Sequence, residues 1–295
     1  MKSSRKKKRS RRMSKELRAL LVGLCGVFFL LVCFSGWKVY SILHGYKTAE
    51  RRYENLAGSV AAVAPQPAGQ PSGQPAAAPA AAPAADGESL ENAAEGQPEE
   101  TAPPREVSPV SVDFDALREY GGNVIGWICL PQTVINYPIA QGQDNAYYLE
   151  RFLDGKPIMG GTLFADCVCP SDFSGLNTIV YGHNMKDGSM FALLDDYAAQ
   201  SFYDQHPVMY LNTPTQNYRV DIFSCFTTDP TSYVYQASFS STEEFATHLR
   251  ALTAASEVSC QAAVTPDDRI VTLSTCTYSG ADMRFVVCGK LTEID

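Results

Sequence analysis

Apolar and polar residues are distributed unevenly along this chain of 295 residues. One run, from Ala19 to Trp37, contains no charged residue. At ~1.5 Å rise per residue such a run forms a helix of roughly 28 Å, about the thickness of a bilayer's hydrocarbon core. Residues 60–108 include few large apolar residues, and from Val110 aromatic and β-branched residues return. The pattern predicts a membrane-spanning helix, a polar connecting segment and a folded domain.

Short strand-like runs recur through the predicted folded domain. Each is rich in β-branched or aromatic residues and is bounded by Gly, Pro, Asn or Asp. The predicted strands are residues 123–130, 133–140, 161–166, 177–183, 208–213, 217–226, 269–276 and 284–291. Because helical patterns do not separate most consecutive strands, the sequence favours a small barrel or sandwich over alternating β-α units.

Helical patterns are fewer in this domain. They predict helices at residues 113–121, 189–198 and 241–256. The last begins with Ser241 and Glu244 at the spacing of a capping box. Its apolar residues recur at i, i+4 and i+7, namely Phe245, Leu249 and Leu252. His248 falls beside this stripe, and we expect it to be a surface histidine.

Charge supports the same division of the chain. The net charge is −8, yet residues 1–18 hold ten Lys or Arg and one Glu. A basic segment of this kind could bind nucleic acid, but the apolar run that follows it favours a location at the membrane. The positive-inside rule then places the N-terminus in the cytoplasm and the folded domain outside the cell. We predict four segments: a basic cytoplasmic segment (1–18), a single transmembrane anchor (19–39), a juxtamembrane segment with a Pro/Ala-rich disordered stalk (40–108), and the folded domain (109–295). We predict no nucleic-acid partner.

The residues at the end of the apolar run distinguish a membrane anchor from a cleaved signal peptide. A cleaved signal peptide has a shorter apolar region that ends in small residues, whereas Trp37, Lys38 and Tyr40 follow here. An uncleaved anchor is therefore predicted. The stalk cannot bury enough apolar surface to offset its ordering entropy, which predicts disorder. The juxtamembrane residues that precede it could continue the helix.

Nine cysteines raise the question of disulfide bonds in an exported chain. Cys25 and Cys33 lie in the membrane segment, which leaves seven, an odd number. At least one thiol therefore remains unpaired. The short C-V-C run at residues 167–169 is too small to indicate a metal site, and we predict neither a metal nor a cofactor.

One thiol ends the predicted strand TLSTC at residues 272–276. If a hairpin loop sets Cys276 opposite Arg284, their Cβ atoms lie about 4.5 to 5.5 Å apart, and the guanidinium can reach an oxygen that the sulfur attacks. The same register places Cys288 opposite Thr272, roughly 13 Å along the strand from Cys276. A disulfide between Cys276 and Cys288 is then excluded.

A thiol needs a partner that handles protons, because the thiolate is the reactive form and the free pKa is about 8.5. Three histidines lie beyond the juxtamembrane segment: His183, His206 and His248. His183 ends the run NTIVYGH and enters a polar loop, where a sheet presents reactive side chains to solvent. We select it as the candidate acid or base. An ordinary loop histidine and an edge-strand arginine are the competing interpretations of His183 and Arg284.

Taken together, TLSTC with an arginine eight residues later, preceded by YGHNMKDGSMF, resembles the sortases, and specifically class B. The resemblance covers Asp113 to Leu291. Sortases are membrane-anchored cysteine transpeptidases of mainly Gram-positive bacteria, built on an eight-stranded β-barrel. The resemblance therefore implies a mainly β fold, with a closed eight-stranded barrel, an N-terminal helix and a long helix between late strands.

The resemblance also implies roles for individual residues. Cys276 would be the nucleophile and His183 the general acid and base. Arg284 would stabilise the oxyanion or substrate, with the backbone N–H of Thr277 as a second donor. The implied reaction cleaves a C-terminal sorting signal after Thr through a thioacyl-enzyme, and transfers the exported protein to an amine of peptidoglycan or a pilin. Some class B members carry acidic residues just after the cysteine; this chain does not, and Asp282 is a candidate replacement.

Two other functions stay open at this point. A papain-like protease has its cysteine before its histidine in the chain, whereas here His183 precedes Cys276. A catalytically silent, membrane-anchored adaptor would bind peptides in a barrel groove and form no selective adduct at Cys276.

Overall fold

The computed structural model describes residues 15–63, 106–276 and 282–295. The first fourteen residues of the predicted basic segment, most of the predicted stalk and Thr277 lie outside these ranges. The chain divides into two compact units after Arg52. The predicted boundaries of the four segments stay a prediction.

Helix α1 (Lys15–Val60) accounts for the described part of the first unit. Its most apolar window has a mean hydropathy of 2.5, and none of that window is buried. By length and composition the helix is able to cross a membrane. The helix continues without a break through the predicted juxtamembrane residues, and its last two turns belong to the second unit.

A two-stranded sheet connects the end of α1 to the rest of the second unit. Strand β1 (Ala61–Val63) follows α1 directly and pairs antiparallel with β2 (Val110–Val112). The backbone N–H of Asp113 donates to the carbonyl of Val60 at 2.7 Å. Three side chains from the last turns of α1 are buried in the domain core: Tyr53, Leu56 and Val60. Residues 53–63 are thus an integral part of the folded unit.

Eight strands of the described residues close into a barrel. They are β3 (Val124–Cys129), β4 (Asn136–Gln141), β5 (Leu163–Ala165), β6 (Asn177–Tyr181), β7 (Val208–Asn212), β8 (Asn217–Thr228), β9 (Arg269–Cys276) and β10 (Arg284–Ile294). Around the barrel the order is β10-β8-β7-β3-β4-β5-β6-β9. The pairs β4–β5 and β6–β9 are parallel, and the other pairs are antiparallel. The predicted closed eight-stranded barrel is confirmed.

The described residues of this domain form three further α-helices: α2 (Phe114–Glu119), α3 (Gln200–Gln205) and α4 (Thr242–Ala255). The predictions for α2 and α4 are confirmed. The predicted helix at 189–198 is instead a 3₁₀ helix, Ala192–Ala198, followed by α3, which the patterns did not predict. Leu194 and Tyr197 are its buried residues, and their separation of three residues matches three residues per turn.

Helix α4 begins with the predicted cap, in a modified form. The Ser241 hydroxyl accepts from the backbone N–H of Glu244 at 3.2 Å. The Glu244 carboxylate reaches one residue further back than the capping box requires and accepts from the Ser240 backbone N–H at 2.6 Å. The predicted apolar stripe of α4 is buried.

The prediction that His248 lies on the surface is wrong. The residue is 6% exposed, because the segment after β8 packs along the flank of α4. Its ring lies 4.9 Å from Phe239 and 5.9 Å from Tyr233, centroid to centroid. Burial lowers the pKa of His248 to about 4.

The barrel wall is apolar on both sides. Inward-facing side chains from β8, β9 and β10 join the main core: Cys225, Leu273 and Val287. Outward-facing neighbours pack with the stripe of α4 in a second cluster: Phe226, Val286 and Cys288. Alternation along each strand separates the two sets, so α4 covers one outer side of the barrel.

Candidate active site

Strands β9 and β10 bring the predicted thiol and guanidinium together. Their antiparallel register pairs Cys276 with Arg284 and Thr272 with Cys288, as the sequence predicted. Cys276 is exposed at the end of β9, and Arg284 is half-buried at the start of β10. The two side chains are therefore direct cross-strand neighbours at one end of the barrel.

The parallel pairing of β6 with β9 brings the histidine to the same end. Tyr181 lies opposite Ser274 in this pairing. His183 is two residues beyond Tyr181, and Cys276 is two residues beyond Ser274. The chain stays paired in between, because the Gly182 backbone N–H donates to the Ser274 carbonyl at 3.1 Å. Equal offsets along parallel strands therefore put imidazole and thiol at the same level.

Gly182 has to be glycine for this close pairing. A Cβ atom built there would lie 2.4 Å from Leu163 Cδ2 and 2.6 Å from Phe191 Cδ2. Contacts this short require the neighbours to move. The glycine of the YGHN sequence thus lets the end of β6 pack against the barrel interior just before His183.

A backbone carbonyl holds the imidazole of His183. Its Nε2 lies 2.8 Å from the carbonyl oxygen of Leu149. Because a carbonyl only accepts, Nε2 must carry a proton, and Nδ1 is the nitrogen that takes up or releases one. The carbonyl of His183 in turn accepts from the Phe191 backbone N–H at 3.0 Å. Ring and backbone are both fixed.

Asn184 ties the histidine loop to the cysteine strand. Its Nδ2 donates to the Cys276 carbonyl at 2.7 Å and to Asp195 Oδ2 at 2.8 Å. The residue patterns predict no role for Asn184, although it stands in the GHNM run. Its position directly after the candidate histidine was the available signal.

Cys276, His183 and Arg284 line one cleft of about 280 Å³. Its wall is mainly aromatic and aliphatic, from Leu149, Phe164, Tyr181 and Tyr235. The Tyr181 hydroxyl donates to Asp166 Oδ2 at 2.8 Å, and burial raises the pKa of Tyr181. Burial also raises the pKa of Tyr235, whose hydroxyl lies 2.9 Å from Ser274 Oγ. Both phenols are neutral, so the wall offers apolar surface with a few polar groups.

The remaining candidates have these positions. Asp282 is exposed and has a φ of 63°, in the left-handed region. Its role as a replacement carboxylate stays a prediction, and Thr277 lies outside the described residues. Among the described residues, no group of three or more His, Cys, Asp or Glu is placed to hold a metal ion.

Comparison with known proteins identifies the family and supports the fold. A family model described as a sortase domain matches residues 128–292. Sortase B of Listeria monocytogenes is 37% identical over 177 residues, which span 59% of this chain and 72% of that protein. Sortase B of Staphylococcus aureus is 32% identical over 187 residues, which span 63% of this chain and 77% of that protein.

A solved structure agrees with the sequence relatives. The structure described as a Staphylococcus aureus sortase B-substrate complex has a TM-score of 0.59 and 32% identity, and the match covers 62% of this chain and 85% of that one. A role at the cell wall of Gram-positive bacteria fits this family. With the family match over more than half of its length and a closed eight-stranded barrel, the chain belongs to the sortase family of cysteine transpeptidases, in class B.

Proposed function

We propose that this sortase cleaves a C-terminal sorting signal after Thr and transfers the exported protein to an amine of the cell wall or of a pilin subunit. The observation that carries the proposal is the convergence of Cys276, His183 and Arg284 on one cleft. A related sortase B has been solved as a substrate complex, which supports a substrate in the matching cleft.

In the first half of the proposed reaction, Cys276 Sγ attacks the threonyl carbonyl carbon, and its proton is held at His183 Nδ1. Negative charge develops on the carbonyl oxygen, where Arg284 donates hydrogen bonds. The C–N bond then breaks, and His183 gives its proton to the departing amine. The product is a thioester between Cys276 and the threonine.

The second half reverses these roles. The acceptor amine attacks the thioester carbonyl, His183 Nδ1 takes the amine proton and passes it to the sulfur, and the sulfur leaves as the thiol. Leu149 supports both halves, because its carbonyl keeps Nε2 protonated and leaves Nδ1 as the nitrogen that exchanges the proton. Arg284 uses one of its five donors on the Met283 carbonyl, at 3.1 Å. The backbone N–H of Thr277 is the proposed second donor to the oxyanion.

We also propose that α1 anchors the protein with its N-terminus in the cytoplasm and the catalytic domain outside. The support is the apolar window of α1 and the basic residues before it. Labelling of intact cells with a membrane-impermeant maleimide tests this orientation at the exposed thiol of Cys167. Labelling of that residue only after lysis would contradict it.

A joining assay with the full-length chain in detergent tests the catalytic assignment. The assay offers a library of peptides with candidate sorting signals and a set of acceptor amines. Cys276→Ala should lower joining by about 10⁴-fold or more, because no other group forms the thioester. Cys167→Ser, which removes another exposed thiol, should keep the wild-type rate.

Trapping of the intermediate separates the enzyme from an adaptor. Hydroxylamine should release the cleaved peptide as a hydroxamate from the wild type, and Cys276→Ala should give none. Peptide binding without an adduct at Cys276 would instead support a catalytically silent adaptor.

A further inference from the structure

Two thiols away from the cleft lie against each other. Cys225 is on β8 and is fully buried in the main core, while Cys260, in the connection between α4 and β9, is half-buried and packs on the same core. The two thiols are near enough to influence each other's ionisation, and Ser256 contacts both residues. Neither thiol lines the cleft, and the transpeptidase reaction has no use for them.

The backbone holds the second thiol beside the first. The Cys225 backbone N–H donates to Ser256 Oγ at 3.1 Å, and the Glu257 backbone N–H donates to the Cys225 carbonyl at 2.8 Å. Ser256 Oγ also lies 3.8 Å from Cys260 Sγ. The start of the connection is therefore fixed on β8, and the Ser256 hydroxyl links the Cys225 backbone to the Cys260 thiol.

Strand geometry decides which cysteine is the partner of Cys225. Val287 lies opposite Cys225 on β10, and both side chains belong to the main core. The next residue, Cys288, points to the other side of the barrel wall, where it packs with α4. Cys260 is therefore the cysteine on the same side of the wall as Cys225.

The environment makes the two thiols unequal. The Cys225 thiol lowers the pKa of Cys260, while burial raises the pKa of Cys225. Cys260 is thus the more readily ionised and the more accessible sulfur of the two. It is the group that meets an oxidant first.

We propose that Cys225 and Cys260 form a disulfide bond in the exported protein. The oxidant is a disulfide, either of a small thiol or of a thiol oxidoreductase. The Cys260 thiolate attacks one sulfur of this oxidant and releases the first thiol. The Cys225 sulfur then attacks Cys260 Sγ in the mixed disulfide and releases the second, and the two protein protons end on the two released thiols.

The bond joins β8 to the α4–β9 connection and closes a loop from residue 225 to residue 260 that contains α4. It stabilises the domain by restricting the unfolded chain. The proposal rests on the proposed location outside the cytoplasm, where disulfides persist. It also leaves Cys276 reduced, as the proposed mechanism needs.

Peptide mapping of the oxidised full-length chain tests the bond. Trypsin cleaves after Arg219, Arg250 and Arg269, so residues 220–250 and 251–269 become separate peptides with one cysteine each. After treatment with oxidised glutathione and alkylation of free thiols, the two peptides should elute as one species, 2 Da lighter than their sum. Recovery of both peptides in alkylated form would overturn the proposal.

Thermal unfolding of the same preparations gives a second readout. Oxidation should raise the melting temperature by roughly 5 to 15 °C for a loop of this length in a domain of this size. Cys260→Ser keeps a polar group of similar size at a half-buried position and should abolish the oxidant-dependent shift. Cys167→Ser, at an exposed cysteine, should retain it. An equal shift in both variants would contradict the assignment.

The outcomes separate this proposal from the proposed function. A linked peptide pair in a chain that joins no peptide to an amine would contradict the function alone. Full joining activity with both thiols alkylated after oxidation would contradict the disulfide alone.

Discussion

Two regions of the catalytic domain each contain a histidine, and they surround it in opposite ways. In the cleft, His183 is half-buried, and the Leu149 carbonyl holds its Nε2 at 2.8 Å. On the flank of α4, His248 is buried among aromatic rings. Its Nε2 has no hydrogen-bond partner within the described part of the chain. The first ring lines the cleft with one nitrogen held in place, whereas the second ring is enclosed.

The difference teaches what a proton-transferring histidine requires. A group that cycles between charged and neutral forms needs a hydrogen bond to keep its orientation and access to the reacting atoms. Burial among rings disfavours the charged form, which explains the low pKa of His248. We therefore expect His183 to determine activity and His248 to determine the stability of the fold.

The largest expected effect comes from His183→Gln. This change removes proton transfer at Nδ1 and should lower kcat/KM for peptide joining by roughly 100- to 10,000-fold. Steady-state kinetics with a fixed peptide and amine would measure it. His248→Gln is the matched control and should change kcat/KM less than threefold at neutral pH. Equal losses in the two variants would remove the functional distinction between the regions.

Protonation of His248 should produce the next largest effect, on stability. Its folded pKa of about 4 lies below the unfolded value of 6.5. Between these values the unfolded chain binds the proton and the folded chain does not, so stability falls as the pH drops from 6.5 through about 4. The loss approaches ~3 kcal/mol.

Denaturant unfolding at pH 7.5 and pH 4.5 would measure the loss for the wild type and for His248→Leu. The leucine variant should show a smaller difference between the two pH values, since the titrating group is gone. His206→Gln, at a half-buried histidine beside neither site, should keep the wild-type difference. A wild-type difference in His248→Leu would assign the acid sensitivity to other groups.

Asn184→Ala should have a moderate effect in the cleft. The Asn184 amide bonds the Cys276 carbonyl, so its loss lets the thiol move relative to the imidazole. We expect kcat to fall roughly 10- to 100-fold with a much smaller change in KM, because positioning of the nucleophile is lost. An unchanged rate of thioester formation in single-turnover assays would contradict a positioning role.

The smallest effect is expected at the N-terminus of α4. Ser241→Ala removes the hydroxyl that caps the Glu244 backbone N–H and should cost about 1 kcal/mol of stability. Ser241→Gly should cost only a few tenths of that, since glycine is a better cap than alanine. Denaturant unfolding would compare them. Neither change should alter kcat, because α4 lies away from the cleft.

The two regions also differed in how well the sequence predicted them. Residue patterns gave the strands and the Cys276–Arg284 register, because strand alternation and a short hairpin leave few choices. The YGHN and TLSTC runs led to the cleft thiol and imidazole through their likeness to a known family. The Leu149 carbonyl was not predictable, because a backbone contact 34 residues away from His183 leaves no trace in side-chain patterns.

The burial of His248 was missed for a different reason. Its position beside the apolar stripe of α4 suggested a surface site, and only the packing of residues 233–239 along that flank buries it. Periodicity describes one helix face against one partner and does not reveal a second partner. The contact between Cys225 and Cys260 likewise depends on how the α4–β9 connection folds back onto β8.

The pairing of β1 with β2 has a consequence for the Pro/Ala-rich stretch between them. Because α1 runs directly into β1, the chain is attached to the domain at two paired strands, one before and one after this stretch. Insertions in the stretch lengthen the chain between these two attachment points and leave the points together. The entropy of closure grows slowly, by about 0.6 kcal/mol for each doubling of length. Variants with half or twice as many residues in this stretch should therefore present the same cleft in the same place on the domain.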